Sequence, residues 1–152
     1  MKKILISTLT FTSLLFGEIV LNKNIEQFEL FNQFDKKQSI KQDTKKIIFA
    51  FKKASGHIVK DFLASKEAEY LSKRDALFVA DVSAMPSVIR WFVLDDLDKY
   101  NYSIILIEDD EISDKYKDEK NIEKILVVSL DNLKVIKIEH FDNVEDLESS
   151  LN

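Results

Sequence analysis

The sequence predicts an α/β protein, a three-layer α/β/α sandwich with a mixed central sheet. Lys46 to Phe51 and Ala76 to Asp81 are continuous apolar runs of strand length, the pattern of strands buried on both faces, and helical spacing follows each. Further on, Lys124 to Leu130 and Lys134 to Ile138 flank Asp131-Asn132-Leu133, a hairpin signal that adds antiparallel strands.

Taken in order, Ile25 to Phe34 alternates in part and predicts a first strand, with its turn at Asp35-Lys36-Lys37-Gln38. Lys46 to Phe51 is the central strand. The chain breaks at Lys52 to Gly56, after which Ile58, Val59, Phe62, Leu63, Ala68 and Leu71 predict a helix from about His57 to Lys73. Ala76 to Asp81 is a second core strand. Ser83 to Lys99 reads as a helix in which Pro86 is tolerated only in the first turn. Tyr102 to Glu108 is a third strand. The acidic stretch Asp109 to Lys120 has too little apolar content for a core and predicts a solvated loop or a short surface helix. Asn143 is placed to cap a last helix through Leu151, with Glu145 and Asp146 in its first turn.

The chain opens with Met1-Lys2-Lys3 and then runs from Ile4 to Phe16 without a charge. That is the pattern of a secretory signal peptide over residues 1–17, too short to cross a hydrocarbon core as a helix. Cleavage is expected after Gly17, although Leu15 is larger than the usual residue there, so a shifted site or retention as an anchor stays open. The two lysines suggest a bacterial periplasmic address. Residues 18–152 are then expected to form one domain, with no stable membrane span after cleavage.

The formal net charge is −5, and loss of Lys2 and Lys3 would take it to −7, with the remaining positive charges scattered. Nucleic acid and anionic membrane surfaces are disfavoured partners, because phosphate neutralisation needs a concentrated basic face. There is no cysteine, so no disulfide and no lipid-anchored signal is available. Two glycines, Gly17 and Gly56, cannot write a dinucleotide fingerprint or a phosphate loop, which argues against nucleotide and flavin cofactors. No cofactor is expected.

Phe28 to Phe51, FELFNQFDKKQSIKQDTKKIIFAF, resembles the opening of thioredoxin-like proteins of the peroxiredoxin and thiol-reductase type. There a hairpin of the form F-x-L-x-D-x-x-G-K-x-x-S-L leads through a short linker to an apolar strand ending in Phe. The order of elements that follows matches as well, so the resemblance runs from Phe28 to the end and implies a thioredoxin-like three-layer sandwich. The family's C-x-x-C positions fall at Gly56 and Val59, and its cis-proline, just before the third core strand, falls at Asn101-Tyr102-Ser103. Neither element of that redox site is present. Thiol-disulfide exchange and cysteine-based peroxidase chemistry are excluded, since both need a cysteine sulfur.

Two candidate sites remain. Lys52, Lys53, Ser55, Gly56 and His57 sit where the family keeps its reactive turn, at a helix start whose free N–H groups favour an anion. The ordinary reading of the same residues is that Ser55 caps the helix and the lysines are solvated. Along Pro86 to Leu94, Val88, Ile89, Trp91, Phe92, Val93 and Leu94 cover more than one helical face, which points to a partner surface centred on Val88, Trp91 and Phe92. The ordinary reading there is a helix sandwiched between the sheet and the first hairpin.

Asp109 to Lys120 fails the calcium-loop pattern, with Asp114 and Lys120 at the positions that need Gly and Glu, and His57 and His140 are far apart, so no metal is expected. Paired carboxylates such as Asp95-Asp96 and Glu145-Asp146 read as solvated faces. The sequence thus predicts an exported, non-redox thioredoxin-like binding or interaction module, its partner another protein or a second copy. An enzyme using the turn at Ser55 to His57, either an oxidoreductase or one that binds a small anion, is the alternative, and no catalytic residue is assigned.

Overall fold

The computed structural model describes residues 19–152; the expected signal peptide lies outside the described residues. A five-stranded sheet is built from β3 (Lys46–Ala50), β4 (Ala76–Asp81), β5 (Ile105–Ile107), β6 (Ile125–Asp131) and β7 (Lys134–Phe141), in the order β5-β4-β3-β6-β7. A separate two-stranded hairpin, β1 (Glu29–Phe31) and β2 (Lys37–Ser39), precedes it. β3, β4 and β5 are parallel, while β6 and β7 are antiparallel additions. The β6–β7 connection is a two-residue turn with Asn132 and Leu133 both at positive φ, the geometry that continues the strands' twist.

Alternation along the strands divides the core into two layers. Ile48 and Ala50 of β3, Phe78 of β4, Leu106 of β5 and Ile125 and Val127 of β6 face one side, where α1 (Lys53–Ala64), α2 (Ser87–Leu97) and α4 (Val144–Leu151) contribute Val59, Phe62, Leu63, Leu97, Leu147 and Leu151. Ile47, Phe49, Val79, Ile105, Ile107, Leu126 and Val128 face the other. That second face is covered by Ile25, Phe28, Leu30 and Ile40 of the N-terminal segment and by α3 (Asp110–Asp114) with the loop after it.

Several expectations change in detail: the strand expected over Tyr102 to Glu108 is only Ile105–Ile107, and the helix expected over Ser83 to Lys99 is Ser87–Leu97. Only Glu29–Phe31 of the expected first strand is a strand. The segment divides its hydrogen bonds among three partners: Asn24 bridges Lys134, β1 pairs with β2, and Asn32 bridges Ile105. The helix expected over 57–73 starts earlier and stops at Ala64. Its end is closed by the Ser65 and Lys66 N–H groups, which donate to Phe62 and Leu63 carbonyls. Tyr70 and Leu71 still reach the core, but from the turn that precedes a 3₁₀ segment (Ser72–Arg74), and Leu71 falls at a spacing that mimics a continuing helix. Asp75, at φ 49, then reverses the chain into β4.

The stretch 109–120 is a surface element, yet it is anchored. Ser113 and Tyr116 are both buried, and the Tyr116 ring stacks on Phe49 at 5.5 Å and meets Phe28 edge-on. Asn143 caps α4 as expected, its Oδ1 accepting from the Asp146 N–H at 2.8 Å.

Candidate functional site

In a sheet with parallel strands, ligand sites form beyond the carboxyl ends of those strands. Here the ends of β3, β4 and β5 share one edge with the start of α1, and the amino end of β6 joins them because Phe49 pairs with Leu126.

Lys52 is extended and occupies the position before α1, so Ser55 lies inside the first turn and does not cap it. The Ser55 hydroxyl donates back to the Lys52 carbonyl at 3.0 Å and is buried. No side chain caps this helix, and no acidic residue lies in its first turn. Lys52, Lys53 and His57 are exposed. Neither of the two clefts described below is lined by any residue from Lys52 to His57.

The two positions read against the family's C-x-x-C, Gly56 and Val59, lie inside α1, and Val59 is fully buried against the sheet, while the junction of strand and helix is at Lys52–Lys53. Asn101 to Ser103 is not opposite that junction either. It lines a cleft of about 330 Å³ with Thr44, Asp75 and Ala76 at the amino ends of the parallel strands. The reason is topological: β5 is an edge strand parallel to β4, so the strand that flanks β3 at the junction is β6, preceded by Glu123-Lys124.

The loop after β4 is internally tied. Asp81 accepts from the Ser83 N–H at 2.9 Å and from the Ser113 hydroxyl, which holds α3 against the strand end. Arg90, reaching back from α2, donates to the Ser83 and Met85 carbonyls at 2.7 and 3.1 Å. These side chains are occupied in holding backbone.

α2 shows the opposite character. Pro86 occupies the position before it, and only Leu97 is fully buried, with Val93 and Leu94 partly packed on the core. Val88 is 70% exposed, Ile89 53%, Trp91 65% and Phe92 63%. Val88, Trp91 and Phe92, at i, i+3 and i+4, form one apolar face turned to solvent. The Trp91 and Phe92 rings meet at 5.0 Å and 72°. The helix is packed on one side only and is not sandwiched.

Trp91 and Leu94 also form one wall of a cleft of about 410 Å³, whose other walls are Leu30 to Gln33 and the end of β5. Asp95 and Asp98, one and two turns on from Trp91, stand on its rim. Among the described residues, no three acidic or histidine side chains are placed to hold a metal ion. No described helix is long and apolar enough to cross a membrane.

Solved structures with a similar arrangement include proteins named for thiol chemistry. The thioredoxin domain of a thiol-disulfide oxidoreductase from Bacteroides vulgatus superposes with a TM-score of 0.53 at 12% identity, over 88% of this chain and 99% of that one. The fold is thioredoxin-like. StoA from Bacillus subtilis gives a TM-score of 0.56 at 15% identity over 84% of this chain and 97% of its own. The peroxidoxin BcpB from Mycobacterium tuberculosis gives 0.54 at 12% over 86% and 94%. No protein-family model and no curated protein matches the sequence. On this thioredoxin-like scaffold the chain carries no cysteine, so it holds no thiolate for the chemistry those names describe.

The structure thus keeps the two sequence-based candidates apart, Lys52 to His57 at the start of α1 and Val88 to Phe92 along α2. The cleft beside Trp91 is what residue patterns miss, because its walls come from distant parts of the chain. The only local signal is the i, i+4, i+7 alignment of Trp91, Asp95 and Asp98.

Proposed function

We propose that this chain is an exported, non-redox thioredoxin-like protein that acts as a binding module, with its partner surface on α2 at Val88, Trp91 and Phe92. The observation that carries this is the T-shaped pair of Trp91 and Phe92 rings, each more than three-fifths exposed on a helix whose opposite side is already packed. Large aromatic side chains left together in water mark contact surfaces, where they supply most of the binding energy. Export is supported by the basic start and apolar run of residues 1–17.

The test compares wild type with Trp91→Ala/Phe92→Ala, by light scattering after size-exclusion chromatography and by affinity capture from the protein's own cells. A species held by wild type and lost from the double variant is the expected result. An unaltered monomer that captures nothing, or equal capture by both forms, overturns the reading. Cell fractionation with N-terminal sequencing tests export; the expected mature chain is periplasmic and begins at Glu18.

A further inference from the structure

The cleft beside α2 has a chemistry of its own. Its floor is apolar, with Leu30, Leu94, Leu106 and Ile112 beside the Trp91 ring. Every charged residue lining it is an acid: Asp35, Asp95, Asp98, Glu108 and Asp109. None of these pairs with a described cation. Asp109 caps α3 through Oδ1.

Folding does not explain the rim. Asp95, Asp96 and Asp98 crowd the C-terminal end of α2, where the helix carries its own partial negative charge and where no basic residue lies in the last turn. Lys99 forms its ion pair with Asp96 and reaches Asp95 only as a weaker, longer-range charge. Asp95 and Asp98, on the Trp91 side of the helix, have no ion pair to offset the helix's own electrostatics.

We propose that this cleft is the docking groove for a basic amphipathic segment of a partner protein. An apolar side chain enters beside Trp91, and flanking Lys or Arg residues meet the rim carboxylates. Such side chains suit both parts of the site, because their aliphatic stems cover apolar surface while the cationic head stays at the rim and can lie over an indole face. Carboxylates around a low-dielectric wall also concentrate cationic segments before contact. Charge argues against a second copy as the occupant, since this chain carries −5 and would bring acid to acid. The inference rests on the reading of α2 as a contact surface and adds what kind of segment it takes.

Trp91 is the only tryptophan, so its fluorescence reports from the groove itself. The probes are three short amphipathic peptides with the same apolar residues and with Lys, Ser or Glu at the polar positions. The Lys peptide is expected to shift Trp91 emission to the blue and to bind about tenfold or more tighter than the Glu peptide, with the advantage shrinking as salt is raised. Asp95→Asn/Asp98→Asn is expected to cut that advantage severalfold while leaving Ser-peptide binding unchanged. Both positions are exposed, and the same urea midpoint or a higher one confirms that the variant folds.

Equal binding of all three peptides overturns the charge inference and leaves the α2 surface standing. If no peptide moves the emission but Trp91→Ala/Phe92→Ala still loses a captured partner, the surface stands and this groove is not its pocket. If neither is seen, both fall. A mass doubling abolished by the same double variant makes the occupant a second copy and overturns the proposal.

Discussion

The side-chain amide of Gln33 acts as a peptide group beside Ile104. Its Oε1 accepts from the Ile104 N–H at 2.7 Å, and its Nε2 donates to the neighbouring Tyr102 carbonyl at 2.7 Å. With the Gln33 N–H donating to the Ile104 carbonyl at 3.2 Å and Asn32 bridging Ile105, the end of the β1–β2 hairpin is held against the edge strand β5. Gln33→Leu removes both side-chain bonds and leaves a buried donor and acceptor unpaired, at about 2–4 kcal/mol. Urea unfolding checks the loss.

α1 begins without its usual stabilisers, and two substitutions are expected to strengthen the fold. Lys52 places a positive charge at the positive end of the helix and caps nothing. Lys52→Asp supplies both a cap and a favourable charge, about 1 kcal/mol. A Cβ added at Gly56 would meet only the Ala50 Cβ, at 4.0 Å, so Gly56→Ala gains about 0.5–1 kcal/mol from helix propensity without a clash. Thermal unfolding should show a higher midpoint for each.

The two buried runs are legible in sequence because a strand covered on both faces has no polar residues to interrupt it, as in Ile47 to Phe51. Trp91 and Phe92 are legible because apolar residues on more than one helical face exceed what a single packed stripe can bury. The other wall of the Trp91 cleft is not. Leu30 to Gln33 reach it only because Gln33 docks on a strand 71 positions away, and no local pattern encodes such a pairing. The position read for the family's cis-proline shares this cause. An edge strand inserted beyond β4 looks, in chain order, like the third core strand, and only the pairing of β3 with β6 shows otherwise.

Tyr116 ties the acidic stretch after β5 to the sheet, its hydroxyl donating to the Glu26 carbonyl at 2.8 Å. Burial, with the Glu26 charge adding a smaller effect, pushes its phenol pKa upward, and burial does the same for Tyr102. The folded state therefore keeps these protons at a pH where the unfolded chain, with a phenol at 10.0, has lost them. Their contribution is full below 10.0 and declines as pH rises above that value. Alkaline titration followed by phenolate absorbance should show both tyrosines ionising together with unfolding. Tyr116→Phe should lose about 1 kcal/mol at neutral pH and flatten the alkaline slope.

Stability and binding should separate along α2. Leu97 is 3% exposed and packs in the layer formed with α1 and α4, so Leu97→Ala leaves a cavity and is expected to cost about 2–4 kcal/mol. Five residues earlier, Phe92 is 63% exposed with its ring edge-on to Trp91, and Phe92→Ala is expected to change stability by no more than about 0.5 kcal/mol. The same substitution removes half of the exposed aromatic pair and should weaken partner capture severely. Urea midpoints and capture measured on one set of variants decide the matter. If Phe92→Ala destabilises as Leu97→Ala does, the ring supports the fold and the case for a contact surface on this face is lost.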